Sequence, residues 1–269
     1  MKKLTTNRFG NLLYVLSALI VCLSMLSCSK DSDDSILPDD EQLEHLGYIA
    51  SEKGMKLTYT ITEGDELGLT SQMKVTDVKD IDGYRVAYSE ISMPGIVINS
   101  SGRFNKKETI SDGANMPAVY YETLEQIKKG YNTSFTHKEN PMTLVIPHQD
   151  QAGQVVGQKK ILAEWHGVNI EEDTKMVADY TMERSNVVTD GNEIIETAVG
   201  KFECLKMTYT ATATTTIEIT DLITGVVTPF TNIGIMEITM WIAKGIGTVK
   251  TTEVMGGTVT TTELTKVEK

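Results

Sequence analysis

Residues 205–219 read LKMTYTATATTTIEI, and their alternation decides the fold. Met207, Tyr209, Ala211, Ala213, Ile217 and Ile219 fall on one side of an extended chain, and Lys206, Thr208, Thr210, Thr212, Thr214 and Glu218 on the other. A period of two sustained this long is a β-strand with one apolar and one wet face. Threonine supplies 18 of the 55 residues from Thr208 to Thr262. A β-branched hydroxyl side chain suits a solvated sheet face, so this enrichment reads as strand propensity rather than as a ligand surface. A strand well beyond the usual ~5–6 residues favours a sheet that curls.

Working outward, the same pattern recurs. Met55 to Thr62 sets Leu57, Tyr59 and Ile61 against Lys56, Thr58 and Thr60. Leu69 to Val78 and Tyr84 to Ile91 follow, joined through Asp82-Gly83, a dipeptide that tolerates the positive φ of a tight hairpin. Similar punctuation stands at Asp190-Gly191, between 175–188 and 193–199, and at Gly256-Gly257, between 247–255 and 258–264. The expected fold is mostly β, a β-rich α+β chain. Its antiparallel meander forms a strongly curved sheet or open half-barrel with one short helix. The helix is placed at Ala118 to Lys129, where Tyr121, Leu124 and Ile127 take helical spacing and Lys128 and Lys129 complement the dipole before Gly130. Pro141, Pro147, Gly153 and Gly157 mark residues 140–158 as a connection between two sub-halves.

The N-terminus carries an address. Lys2, Lys3 and Arg8 precede an apolar run from Leu12 to Leu26, too short for the ~20 residues of a membrane-crossing helix and suited to a signal peptide. The run ends in Met25-Leu26-Ser27-Cys28, which resembles a bacterial lipobox with Met25 in place of the usual Leu. Residues 1–27 are therefore read as the signal and Cys28 as the lipid attachment site. Residues 28–46 follow as an acidic flexible tether and 47–269 as the β-rich domain. The tether sets seven acids against one Lys in 29–45 and cannot bury enough apolar surface to order itself. An acidic run directly after the acylated Cys resembles the surface-export signal of Bacteroidota lipoproteins. The expected location is the outer membrane, facing outward, with its periplasmic face as the alternative. Asp34-Ser35-Ile36 resembles the O-glycosylation site of that phylum, which would modify Ser35.

Charge narrows the partners. The formal net charge is −12, and removal of residues 1–27 leaves 22 basic against 37 acidic side chains. Such a chain does not neutralise a phosphate backbone, so no nucleic-acid partner is expected. Electrostatic attachment to anionic lipid is equally disfavoured, which leaves the membrane as a partner through the lipid anchor.

Cys22 leaves with the signal and Cys28 is acylated, so Cys204 stands alone and no intrachain disulfide forms. An isolated Cys at strand spacing is read as a small buried hydrophobe. Around it, AVGKFECLKMTYT (198–210) and WIAKGIGTVK (241–250) resemble the paired signature of TapB-like lipoproteins, a family without an assigned activity. The resemblance covers roughly residues 47–269. It singles out Gly200, Phe202, Cys204, Trp241, Gly245, Gly247 and Lys250 as structural positions. Ile242 departs from the family's aromatic after the Trp, and 221–233 reads as an insertion-like loop. The glycines are expected at bulges or turns, with Trp241 packed under the turn and Lys250 in solvent.

No catalytic constellation stands out. His45, His137, His148 and His166 lack zinc-site spacing, there is no Gly-x-Ser-x-Gly elbow, and Glu171-Glu172-Asp173 reads as a charged turn. The chain is expected to be a non-enzymatic binding module without a cofactor, holding a hydrophobic ligand within the curved sheet. Ten methionines from Met73 to Met255 are compatible with an adaptable pocket and equally with an ordinary core. The alternative is a surface interaction or structural module for a protein or glycan partner.

Overall fold

A computed structural model describes residues 46–65, 67–93, 96–114, 124–125, 127–149 and 152–269. The signal, Cys28, Ser35, His45 and nearly all of the expected tether lie outside them.

Fifteen strands follow in chain order: β1 (Lys56–Glu63), β2 (Thr70–Ile81), β3 (Tyr84–Met93), β4 (Ile96–Phe104), β5 (Glu108–Ala114), β6 (Ser134–Glu139), β7 (Leu144–Pro147), β8 (Val155–Gly157), β9 (Lys160–Glu171), β10 (Thr174–Arg184), β11 (Val187–Thr197), β12 (Gly200–Asp221), β13 (Val227–Ala243), β14 (Gly247–Met255) and β15 (Thr258–Glu268). They form one antiparallel sheet in the order β6-β9-β10-β12-β13-β14-β15-β1-β2-β3-β4-β5-β7, with β11 pairing both β12 and β8. Most of this order is a meander, as expected.

The curvature follows from the ends of that order. β6 and β7 stand at opposite ends of the sheet, yet only residues 140–143 separate them. Five extended steps reach about 18 Å, so the sheet curls until its two edges approach within that span. It remains open, because no strand pairing joins them among the described residues. Residues 140–158 therefore bridge the two edges, and they carry β7 and β8 as well as loop.

Two expected hairpins form as read. Asp82 and Gly83 turn between β2 and β3 with φ of 51° and 80°, and Gly256 and Gly257 turn between β14 and β15 with φ of 59° and 88°. The third does not. Asp190-Gly191 lies inside β11, where the register against β12 slips between Thr189 and Gly191. Gly191 has φ of 91°, so the left-handed residue makes a bulge within the strand instead of ending it. The stretch 221–233 is likewise no loop. It is the end of β12, a short turn and the start of β13, whose Val, Thr, Phe and Ile content is that of a strand. Of the expected helix, Leu124, Glu125, Ile127 and Lys128 are helical; residues 118–123 and 126 lie outside the described residues.

β12, at 22 residues, organises the core by changing partners along one edge. Residues 200–208 pair β11, whereas 211–221 pair β10. Near its start, Phe202 and Cys204 pack with Ile195, Leu57, Tyr59, Val249 and Leu264. Leu205 and Met207 pack instead with Leu144, Ile146, Val156 and Val187. Farther along, Ala213 and Ile217 join an aromatic cluster in which Tyr131, Phe135 and Tyr180 surround Trp165, and Leu124 and Ile127 of the helical turn close it.

Candidate functional site

Only part of the β12–β13 ladder is covered. Its full register runs from Cys204 opposite Ala243 to Thr220 opposite Val227. β14, however, pairs β13 only from Met236 to Ala243 before turning away at Gly256-Gly257. Among the described residues, Val227–Ile235 thus has β12 on one edge and no strand on the other. The sheet face at Gly234 is open as well, since a Cβ built there would meet nothing within 4 Å.

This uncovered end carries exposed apolar side chains among threonines, with Glu218 opposite Pro229. Ile217 stands opposite Phe230, and Ile219 opposite Thr228, on one face. Val227, Ile233 and Ile235 lie on the other, and Leu222, Ile223 and Val226 occupy the turn. Ile223 is 74% exposed, Phe230 57% and Ile233 58%. Exposed apolar side chains gathered at one end of a sheet mark an interaction site.

Acids border it. Glu171-Glu172-Asp173 makes the β9–β10 turn, Glu172 with φ of 42°, and the N–H of Leu222 donates to the carbonyl of Asp173 at 2.7 Å. Between Glu218 and Glu237 the only ionisable side chain is Asp221. Its carboxylate accepts the N–H groups of Thr224 and Ile223 at 2.8 and 2.9 Å, and these bonds, Thr224 first, lower its pKa. Segments 170–176 and 216–237 together carry six carboxylates against Lys175.

A second feature lies deeper on the sheet. Arg184, Ala211, Met236 and Met255 form one rung, Tyr209, Ile238 and Glu253 the next, and Met207, Met240, Thr251 and Thr262 a third. Arg184 is 1% exposed and donates from Nη2 to the Gln158 carbonyl at 3.0 Å, while its Nε and Nη1 find no partner. Burial lowers its pKa. Tyr209 is pushed upward by burial and then by Glu253.

The residues singled out in the sequence fall elsewhere. Gly200, Gly245 and Gly247 take φ of 137°, 74° and 88° at the two turns flanking the base of the β12–β13 ladder. Phe202 and Cys204 are core, and burial, aided by Glu193 and Glu203, pushes the Cys204 thiol up to about 12. Trp241 is partly exposed between Lys206 and Lys250, 5.7 and 5.8 Å from its ring, and donates from Nε1 to Glu193 at 3.0 Å. Lys250 pairs with Glu263 at 2.8 Å. The signature thus gathers at the base of the ladder, away from the exposed end. His166 pairs with Asp179 at 2.7 Å, and His137 lies 3.6 Å from Glu139. Among the described residues no group of three or more His, Cys, Asp or Glu is placed to hold a metal.

No family model and no curated protein matches the chain. Two solved structures are similar to it. A candidate lipoprotein from Parabacteroides distasonis is 14% identical over 83% of this chain and 99% of its own, with a TM-score of 0.50. A candidate exported protein with a YmcC-like fold from Bacteroides fragilis is 13% identical over 83% of this chain and 100% of its own, with a TM-score of 0.48. The first likeness is one of fold.

Proposed function

We propose that the chain is an exported, lipid-anchored interaction module, related to the TapB-like lipoproteins. Cys28 carries the anchor, the acidic tether spaces the domain from the outer membrane on its outward face, and the β12–β13 end meets a protein partner. The observation that carries this reading is the uncovered end itself, where Ile223, Val226, Val227, Phe230, Ile233 and Ile235 are all exposed. An apolar surface of this kind favours protein over glycan. The signal-like N-terminus supports the address, and the Parabacteroides chain of similar fold is itself described as a candidate lipoprotein. The reading is non-catalytic and needs no cofactor. A second reading, a hydrophobic ligand on the sheet, rests on the half-buried Tyr209, Met240 and Met255 beside Ile238.

A photo-crosslinking residue at Ile223 tests the first reading in cells, with one at the equally exposed Ile194 of β11 as control. Discrete adducts at 223 and not at 194 are expected. Equal labelling at both, or none at 223, sinks it.

A further inference from the structure

We infer that the β12–β13 end captures an extended segment of a partner protein as an added strand along β13, and that this segment is apolar with Lys or Arg at its ends. The inference rests on the proposed interaction function and names its partner's chemistry. Three observations converge on it.

The first is the open edge. An unpaired strand presents alternate N–H and C=O groups to whatever lies beside it, and extended peptides bind such edges through main-chain hydrogen bonds. Pro229 lacks the N–H and limits pairing toward the turn, so the usable stretch is Phe230–Ile235. At the other end β14 takes over at Met236.

The second is side-chain alternation along that stretch. Phe230, Asn232 and Gly234 face one way, and Thr231, Ile233 and Ile235 the other. An incoming strand with β-branched residues facing Ile233 and Ile235 would shield apolar surface that β13 leaves in water.

The third is charge. Asp221 closes the turn end of the ladder, with Glu171, Glu172 and Asp173 beyond it on the β10 side of β12, and Glu237 stands at the base of the open stretch. Cationic ends on the captured segment complement both. A second copy brings the same acids, and 37 acidic against 22 basic side chains once residues 1–27 are removed. The acidic tether of the same chain is repelled likewise. A bilayer surface would have to accept four carboxylates level with the apolar turn.

The test uses the full lipidated chain in phosphatidylcholine nanodiscs and follows amide hydrogen exchange. The probes are a peptide of alternating Val and Thr flanked by lysines, the same peptide flanked by glutamates, and the lysine form with every backbone amide N-methylated, which removes the donors from both edges. The lysine peptide is expected to slow exchange within 230–235 about tenfold, with the effect shrinking at high salt. The other two are expected to do nothing. The inference is overturned by no slowing at millimolar lysine peptide, by an equal effect of the glutamate form, or by an equal effect of the N-methylated form. Protection of the outward-facing amides of 230–235, those not bonded to β12, before any peptide is added, from bilayer or second copy, overturns it too. If adducts at Ile223 persist in cells while the peptide fails, strand capture falls and the interaction reading stands; if both are absent, both fall.

Discussion

The N–H of Leu222 donates to the Asp173 carbonyl at 2.7 Å, which ties the acidic β9–β10 turn to the apolar β12–β13 turn. Charge and apolar surface are thereby held at a fixed offset. Because Ile223 and Phe230 are exposed, replacing both by Ser removes surface without opening a cavity. The double variant should keep its unfolding free energy within about 0.5 kcal/mol while losing the in-cell adducts formed from a crosslinker at Val226. A large drop in thermal stability would show that the end is structural instead.

Gly167 gives the opposite case. A Cβ there would lie 2.6 Å from the Tyr131 ring, inside the aromatic cluster around Trp165. Gly167→Ala should cost about 1–3 kcal/mol by overpacking, read from the chemical denaturation midpoint. An unchanged midpoint would mean that Tyr131 does not sit on the strand as described.

The two residues also show what the sequence makes legible. Alternation in 205–219 and in Met55–Thr62 is a local signal, and the strands, their length and two of the three hairpins follow from it. Gly191 does not reveal itself, because a left-handed glycine serves a bulge and a turn equally and only the pairing of β11 with β12 decides. The uncovered end is hidden for a related reason. Ile233 and Ile235 look like any buried strand, and their exposure depends on where β14 stops, which is a tertiary fact. Gly, Trp and Cys are conspicuous in a sequence, yet the signature they form lies at the base of the ladder, where they serve turns and core. The acids at 171–173 were legible as a turn, but not their place beside Leu222.

Arg184 is buried with one carbonyl acceptor and two nitrogens unpartnered. Taking a guanidinium out of water costs several kcal/mol unless its donors are satisfied, so an apolar side chain of similar length serves at least as well. Arg184→Met should unfold within about 1 kcal/mol of the parent or be more stable. A loss above about 3 kcal/mol would show that the cation holds an acidic partner.

The proposed anchor makes a direct prediction. Cys28→Ala should abolish incorporation of labelled fatty acid and release the domain from the membrane fraction, whereas Cys204→Ala, at a core position with 0% exposure, should leave labelling intact. Label retained in the Cys28 variant would remove the anchor from the proposed function.

His148 links the edge-bridging segment to the start of the domain, and its titration should be visible in stability. Thr109 Oγ1 accepts the Tyr48 N–H at 2.9 Å and lies 2.8 Å from His148 Nε2, so the hydroxyl proton is available to the imidazole. That arrangement suits a neutral ring accepting at Nε2. Burial first, then Lys244, lowers the His148 pKa below its ordinary 6.5, with Glu108 opposing. Above about pH 6.5 the ring is neutral in both folded and unfolded chains, and the contribution is fully present. As pH falls through that value the unfolded chain takes up the proton first, so stability declines until the folded pKa is passed. Thermal melts at pH 7.5 and 5.5 should therefore show a drop in the parent that is smaller in His148→Gln. Equal drops in both would assign the acid sensitivity to other groups and leave His148 without a titrating role.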